Sequence, residues 1–251
     1  MIAALGFGLI VGALLGLVGG GGSILAVPAL VYGVGLSMSD AVPSSLIVVG
    51  ASSAVAVLPR MRRDVDWRLA LTIGFSGALT AVVGTAVNSH LSQPVLLLVF
   101  AAIMVLAGVR MLLPSGGSAG ADEEAPTWRK LLPKAIGTGL VVGFLTGLLG
   151  VGGGFLIVPA LTLILGMPMS VAVGTSLVVI VINSLGGFLS HLGDLNLDWG
   201  PTLVFAAAAM VASLVAGRLG RSLSNTVLKR GFAVLVLVVA AFVAVSTLVT
   251  W

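Results

Sequence analysis

Few side chains in this sequence can do covalent chemistry. It has no cysteine and 2 histidines in 251 residues. Thiolate nucleophiles, disulfides and cysteine metal sites are therefore excluded, and a metal centre has almost nothing to be built from. No nucleophile with an attendant base can be assembled, which argues against an enzyme. What the chain offers is polar without being reactive. Two glycine runs, Gly19 to Ser23 (GGGGS) and Gly150 to Gly154 (GVGGG), are each followed by hydroxyl residues, Ser44 and Ser45 after the first and Thr175 and Ser176 after the second. A helix that starts just after a glycine run turns its free N–H groups and positive dipole end toward that run, and glycine lets a ligand approach the backbone closely. That chemistry holds an anion without a fixed charge. The candidate binding set is Gly20, Gly21, Gly22, Ser23, Ser44 and Ser45 with Gly152, Gly153, Gly154, Thr175, Ser176 and Asn183. Serine and threonine in apolar helices commonly bond their own backbone. The recurrence of Ser44/Thr175, Ser45/Ser176 and Ser53/Ser184 at equivalent places is what favours a site.

Those equivalent places come from an internal duplication. Sliding the chain along itself by 131 residues, without a gap, matches 24 of the 43 positions from Ala4 to Leu46. The matches include Gly8, Gly12, Gly16, Pro28 and Gly35. Two repeats of this length imply a pseudosymmetric body of two halves, residues 1–113 and 133–251, joined by a polar linker at 114–132.

Composition fixes the medium. With 59% hydrophobic and 8% charged residues, the chain cannot cover a water-soluble globule, and it reads as an all-α polytopic membrane protein. The net charge of +4 is carried by basic residues in short loops between apolar runs, a membrane-topology pattern and not a nucleic-acid one. In each half the third, fourth and fifth apolar segments are long enough to span. The piece after each glycine run, about 11 residues at roughly 1.5 Å each, is not. Segments one and two are expected to form a broken-helix hairpin whose glycine tip lines a cavity near the midplane. Gly8, Gly12 and Gly16, four apart, read as a close-packing stripe. Pro28 and Pro159 should kink the short helices.

A hairpin plus three spans is an odd number, so the second repeat should be inverted relative to the first. With the N-terminus outside, all 12 lysines and arginines fall on the inner side, which predicts both termini outside. Asp66 with Trp67, and Asp198 with Trp199, read as helix caps with interfacial anchors. No acidic residue lies within a predicted span.

The paired motifs GLVGGGGSILAVPAL and GLLGVGGGFLIVPAL, with the elements Ser44-Ser45-Leu46 and Thr175-Ser176-Leu177, resemble the TauE/SafE sulfite exporter family along essentially the whole chain. The resemblance implies an inner-membrane permease of bacteria or archaea that moves sulfite, a sulfonate such as sulfoacetate, or a related sulfur-containing anion, mostly outward. It implies no cofactor and no nucleic-acid partner, and leaves a homodimer open. An anion channel of the same fold, or a permease for another small organic anion, is the alternative. Two departures from symmetry stand out, Pro43 against Gly174 and Ser23 against Gly154. Arg60, Arg63 and His191 are candidates for gathering anions at the mouths. Outward movement of an anion from a cell negative inside gains about 2.3 kcal/mol per charge per 100 mV, so export needs no coupling ion.

Overall fold

The computed structural model describes residues 1–88, 93–113, 128–149, 154–190 and 198–249. Its described elements are helices: α1 (Ile2–Val18), α2 (Gly21–Pro28) continuing as a π-helical turn (Ala29–Val34), α3 (Met38–Val57), α4 (Trp67–Asn88), α5 (Gln93–Leu112), α6 (Trp128–Leu149), α7 (Gly154–Leu163), α8 (Met169–Ser190), α9 (Trp199–Gly220) and α10 (Asn225–Val249). Seven of them, α3 to α6 and α8 to α10, are long and apolar enough to cross a bilayer.

One of the seven, α6, differs from expectation. The apolar pattern stops at Lys134 and Pro133, yet the helix begins at Trp128, inside the stretch assigned to the linker. Its 22 residues reach about 33 Å, so this arm of the second hairpin can span on its own. Its counterpart α1 has 17 residues.

The duplication is visible in the packing. On α1, a Cβ at Gly8, Gly12 or Gly16 would strike the backbone of Phe205, Ala209 or Ser213 on α9. On α6, the equivalent Gly139, Gly143 and Gly147 lie in the same way against Ile73, Gly77 and Ala81 on α4. Both pairs step along in the same direction, so each first helix runs parallel to the fourth helix of the other half. Absent side chains allow this approach, and dispersion contacts with carbonyl–Cα proximity hold it in a medium where apolar burial gives no drive. The expected glycine stripe is thus present twice, and its partner belongs to the opposite half.

The third helices of the halves meet antiparallel. A Cβ added to Gly50 would stand 3.0 Å from the Ser184 Cβ, and one added to Gly187 would stand 3.3 Å from the Leu46 side chain. The short helices end alike as well. Gly35 at φ 86° and Gly166 at φ 67° are left-handed stops, conformations that suit glycine. Leu36 N donates to Leu30 O and Met167 N to Leu161 O, both at 3.1 Å. Pro28 does not break its helix. It lacks an N–H and crowds the preceding turn, and the backbone widens to the π turn just after it. Pro159 lies within α7, which continues to Leu163.

The arginines of the turn after α3 and Arg221 after α9 come together, and this end of the bundle is its basic end. Arg221, after α9, bridges to Asp64, between α3 and α4, at 3.3 Å, which joins the two most arginine-rich loops. Asp66 caps α4, its Oδ1 accepting from Leu69 N at 3.1 Å. Asp198 precedes α9 without a side-chain cap bond.

Candidate functional site

The first glycine run breaks the chain over two residues. Gly19 (φ 75°) is the bend, Gly20 the turn, and Gly21 and Gly22 already belong to α2. At the break Gly19 N donates to Leu15 O at 2.8 Å, and Gly20 O accepts from Ser23 N at 3.2 Å and Ser23 Oγ at 2.6 Å. Gly19 and Gly20 are buried against α7 and α8. A Cβ on Gly19 would meet Ser176 Oγ at 2.7 Å, and one on Gly20 would overlap the carbonyl of Gly154. Of the second run, Gly150 to Gly153, with the candidates Gly152 and Gly153, lies outside the described residues. Gly154 opens α7, and a Cβ there would stand 2.8 Å from Ser23 Oγ and 2.9 Å from Ile180. The first turns of α2 and α7 therefore meet, with the equivalent residues Ser23 and Gly154 in contact.

Most of the candidate hydroxyls spend their hydrogen nearby. Ser23 donates to Gly20 O, Ser45 to Val42 O at 2.7 Å and Ser176 to Val173 O at 2.8 Å, each within its own helix or turn. Ser44 is paired with Thr202 at 3.0 Å, and since Thr202 donates to Asp198 O at 2.8 Å, Ser44 is the donor of that pair. Thr175 Oγ1 accepts the amide of Asp66 at 3.0 Å, so the start of α4 is tied to α8 and the hydroxyl hydrogen of Thr175 is left for another acceptor. Sequence symmetry missed Thr202. With Asp66-Trp67 aligned to Asp198-Trp199, 132 residues apart, its position in the first half is Ala70, so nothing in the duplication drew attention to it.

Two buried polar groups near the α3–α8 crossing have no partner, Ser53 Oγ and Asn183 Oδ1. Both lie within one turn of the Gly50/Ser184 contact, and Ile180, one turn before Ser184, packs on Gly154. Ser53 lies one turn after Gly50 on α3, and Asn183 lies about one turn after Ile180 on α8. A buried polar group without a partner costs about 1–3 kcal/mol; a bound anion would accept from the Ser53 hydroxyl, and from the Asn183 amide through its Nδ2 with the amide turned toward it.

The mouth candidates separate. Arg60 is fully buried, and its Nη2 donates to Gly16 O, in the last turn of α1, at 3.3 Å. There a cation meets the negative end of the α1 dipole. Its Nε and Nη1 have no partner. Burial lowers its pKa, the Asp64 carboxylate opposes that shift and Arg221 adds to it. Arg63 is exposed and lines a surface cavity at the basic end. His191 lies outside the described residues. No group of three metal-ligating side chains exists among the described residues.

Comparison with known proteins places this architecture. The family model described as sulfite exporter TauE/SafE matches residues 4–243. A probable membrane transporter protein of Xylella fastidiosa is 33% identical over 97% of this chain and 94% of its own length. The probable membrane transporter protein YunE of Bacillus subtilis is 27% identical over 87% of this chain and 86% of its own. One of Methanocaldococcus jannaschii is 31% identical over 74% of this chain and 70% of its own. No solved structure matches the chain.

Proposed function

The chain belongs to the sulfite exporter TauE/SafE family, and from that membership we propose that it is a secondary transporter exporting a small sulfur-containing anion, sulfite or an organosulfonate such as sulfoacetate. The single observation that carries this reading is the meeting of the α2 and α7 N-termini at Ser23 and Gly154, with unpartnered Ser53 and Asn183 side chains on the crossing helices α3 and α8. Helix N-termini, hydroxyls and an amide can hydrogen-bond an oxyanion in a site where no carboxylate would repel it.

The two halves act as inverted repeats in the inner membrane of a bacterium or archaeon. The antiparallel crossing of α3 and α8 supports this, since equivalent helices run oppositely only when the two-fold lies across them. The basic end faces the cytoplasm, which sets both chain termini outside. The parallel α1–α9 and α6–α4 pairs are each locked by backbone contact through glycine, so each moves as a unit and access alternates by motion of these pairs against α3 and α8. With no acidic residue along the path, the membrane potential and the anion gradient drive export.

The test is sulfite, sulfoacetate and acetate flux in proteoliposomes at a set potential. Potential-dependent flux of the sulfur oxyanions above acetate is expected. Equal flux of all three, or none, would refute the substrate assignment.

A further inference from the structure

At the basic end, outside the spans, a cavity of about 420 Å³ is lined by Leu58, Pro59, Met61, Arg62, Arg63 and Arg221. It is built from both halves: the turn after α3 supplies five of these residues and the end of α9 the sixth. Asp64 pairs with Arg221 at 3.3 Å and fixes the two walls against each other. That pair neutralises one guanidinium. Arg62 and Arg63 have no ion-pair partner among the described residues, so the cavity keeps an excess of positive charge. Arg60, between Pro59 and Met61 in the chain, instead turns inward to Gly16.

We propose that this cavity binds the phosphodiester headgroup of an anionic phospholipid. Three observations select lipid over a freely dissolved oxyanion. Leu58 is 57% and Met61 38% exposed, giving an apolar wall that a lone anion cannot use but a glycerol backbone and acyl stem can. The indole Nε1 of Trp67, itself half exposed, donates to Met61 O at 3.4 Å, which puts an interfacial tryptophan on the same turn and sets the cavity at headgroup depth. Guanidinium forks recognise phosphate in bidentate fashion and attract acidic lipid at the cytoplasmic leaflet. Bound lipid ties the Leu58–Arg63 turn to the end of α9 and thereby the two halves to each other.

The test is native mass spectrometry of the full chain in mild detergent, titrated with phosphatidylglycerol against phosphatidylcholine. The preference for phosphatidylglycerol should fall about fivefold per arginine removed, hence about 25-fold in the double variant Arg62→Gln/Arg63→Gln. It should change less than about twofold in Arg230→Gln, an exposed arginine that does not line the cavity. The Arg62→Lys/Arg63→Lys variant keeps the charge, and retention of most of the preference there excludes misfolding as the cause. A second arm adds inorganic phosphate alone. Thermal stabilisation by millimolar phosphate that disappears in the double variant, together with displacement of phosphatidylglycerol by phosphate, would assign the cavity to a dissolved oxyanion and overturn the proposal. An unchanged lipid preference in the double variant would overturn it equally.

Discussion

Ser23 and Gly154, which hold the same place in the two halves of the chain, lie against each other, and a Cβ on Gly154 would stand 2.8 Å from Ser23 Oγ. The point where the duplication folds back on itself is therefore also the point where the two short helices begin. One half carries a hydroxyl there and the other carries none, and the missing side chain at Gly154 leaves the room that Ser23 Oγ and Ile180 fill.

Among the described glycines Gly20 is the one where added bulk has least room, because its Cβ would overlap backbone atoms of Gly154 and Phe155. Gly20→Ala should lower stability by about 3 kcal/mol, the upper end of overpacking penalties, read as a drop in the thermal midpoint in detergent. Gly137→Ala, on the exposed side of α6 with nothing within 4 Å of a Cβ, should leave the midpoint unchanged or raise it slightly. Equal effects at the two sites would show that the close contact is absent.

Ser53 and Asn183 separate a binding role from a structural one. Ser53→Ala removes a buried, unpartnered hydroxyl, so stability should stay level or rise by about 1 kcal/mol. Anion flux should nonetheless fall roughly tenfold or more, the worth of one hydrogen bond to a charged group. Asn183→Leu should behave in the same way. Undiminished flux in both variants would remove them from the path.

Thr175 holds the Asp66 amide. Thr175→Val keeps the shape and loses the acceptor, and should cost about 1–3 kcal/mol, the penalty of an orphaned buried donor. Thr175→Ser should restore most of it. Ser44→Ala should cost less, about 1 kcal/mol, because Thr202 retains its bond to Asp198 O. Chemical denaturation of the four proteins ranks these costs.

Arg60 is a buried cation with two unpartnered nitrogens, so desolvation offsets much of what its bond to Gly16 O contributes. Arg60→Met, of similar volume, should be neutral or stabilising, whereas Arg60→Ala should lose about 2 kcal/mol or more to the cavity it leaves. A large loss in Arg60→Met would mean that the guanidinium is satisfied in a way its Gly16 contact alone does not provide.

The spans themselves could be read from the sequence, because a run of apolar residues is a local property and the bilayer thickness sets its length. The packing glycines could be read too, since Gly8, Gly12 and Gly16 repeat at helical spacing. Their partners could not. Nothing local in α1 specifies Phe205, Ala209 and Ser213 of α9, although duplication of the stripe required the α4–α6 pair to follow once the first pair was known. The start of α6 was missed because Lys134 and Pro133 end the apolar run, while helix formation at a bilayer surface needs no apolar run. The π turn after Pro28 was missed because a kink and a widened turn follow from the same absent N–H. At the site, symmetry singled out the hydroxyls but not their partners, which lie more than a hundred residues away for Ser44 and Thr175.

The most direct measurement of the central claim is sulfite efflux from proteoliposomes at a clamped potential, comparing the native chain with Ser53→Ala/Asn183→Leu, both shown folded by their thermal midpoints. The account predicts efflux that rises with the outward-driving potential, exceeds acetate efflux, and falls at least tenfold in the variant. Efflux that is equal in the two proteins would contradict an anion held between the α2 and α7 N-termini and the α3–α8 crossing.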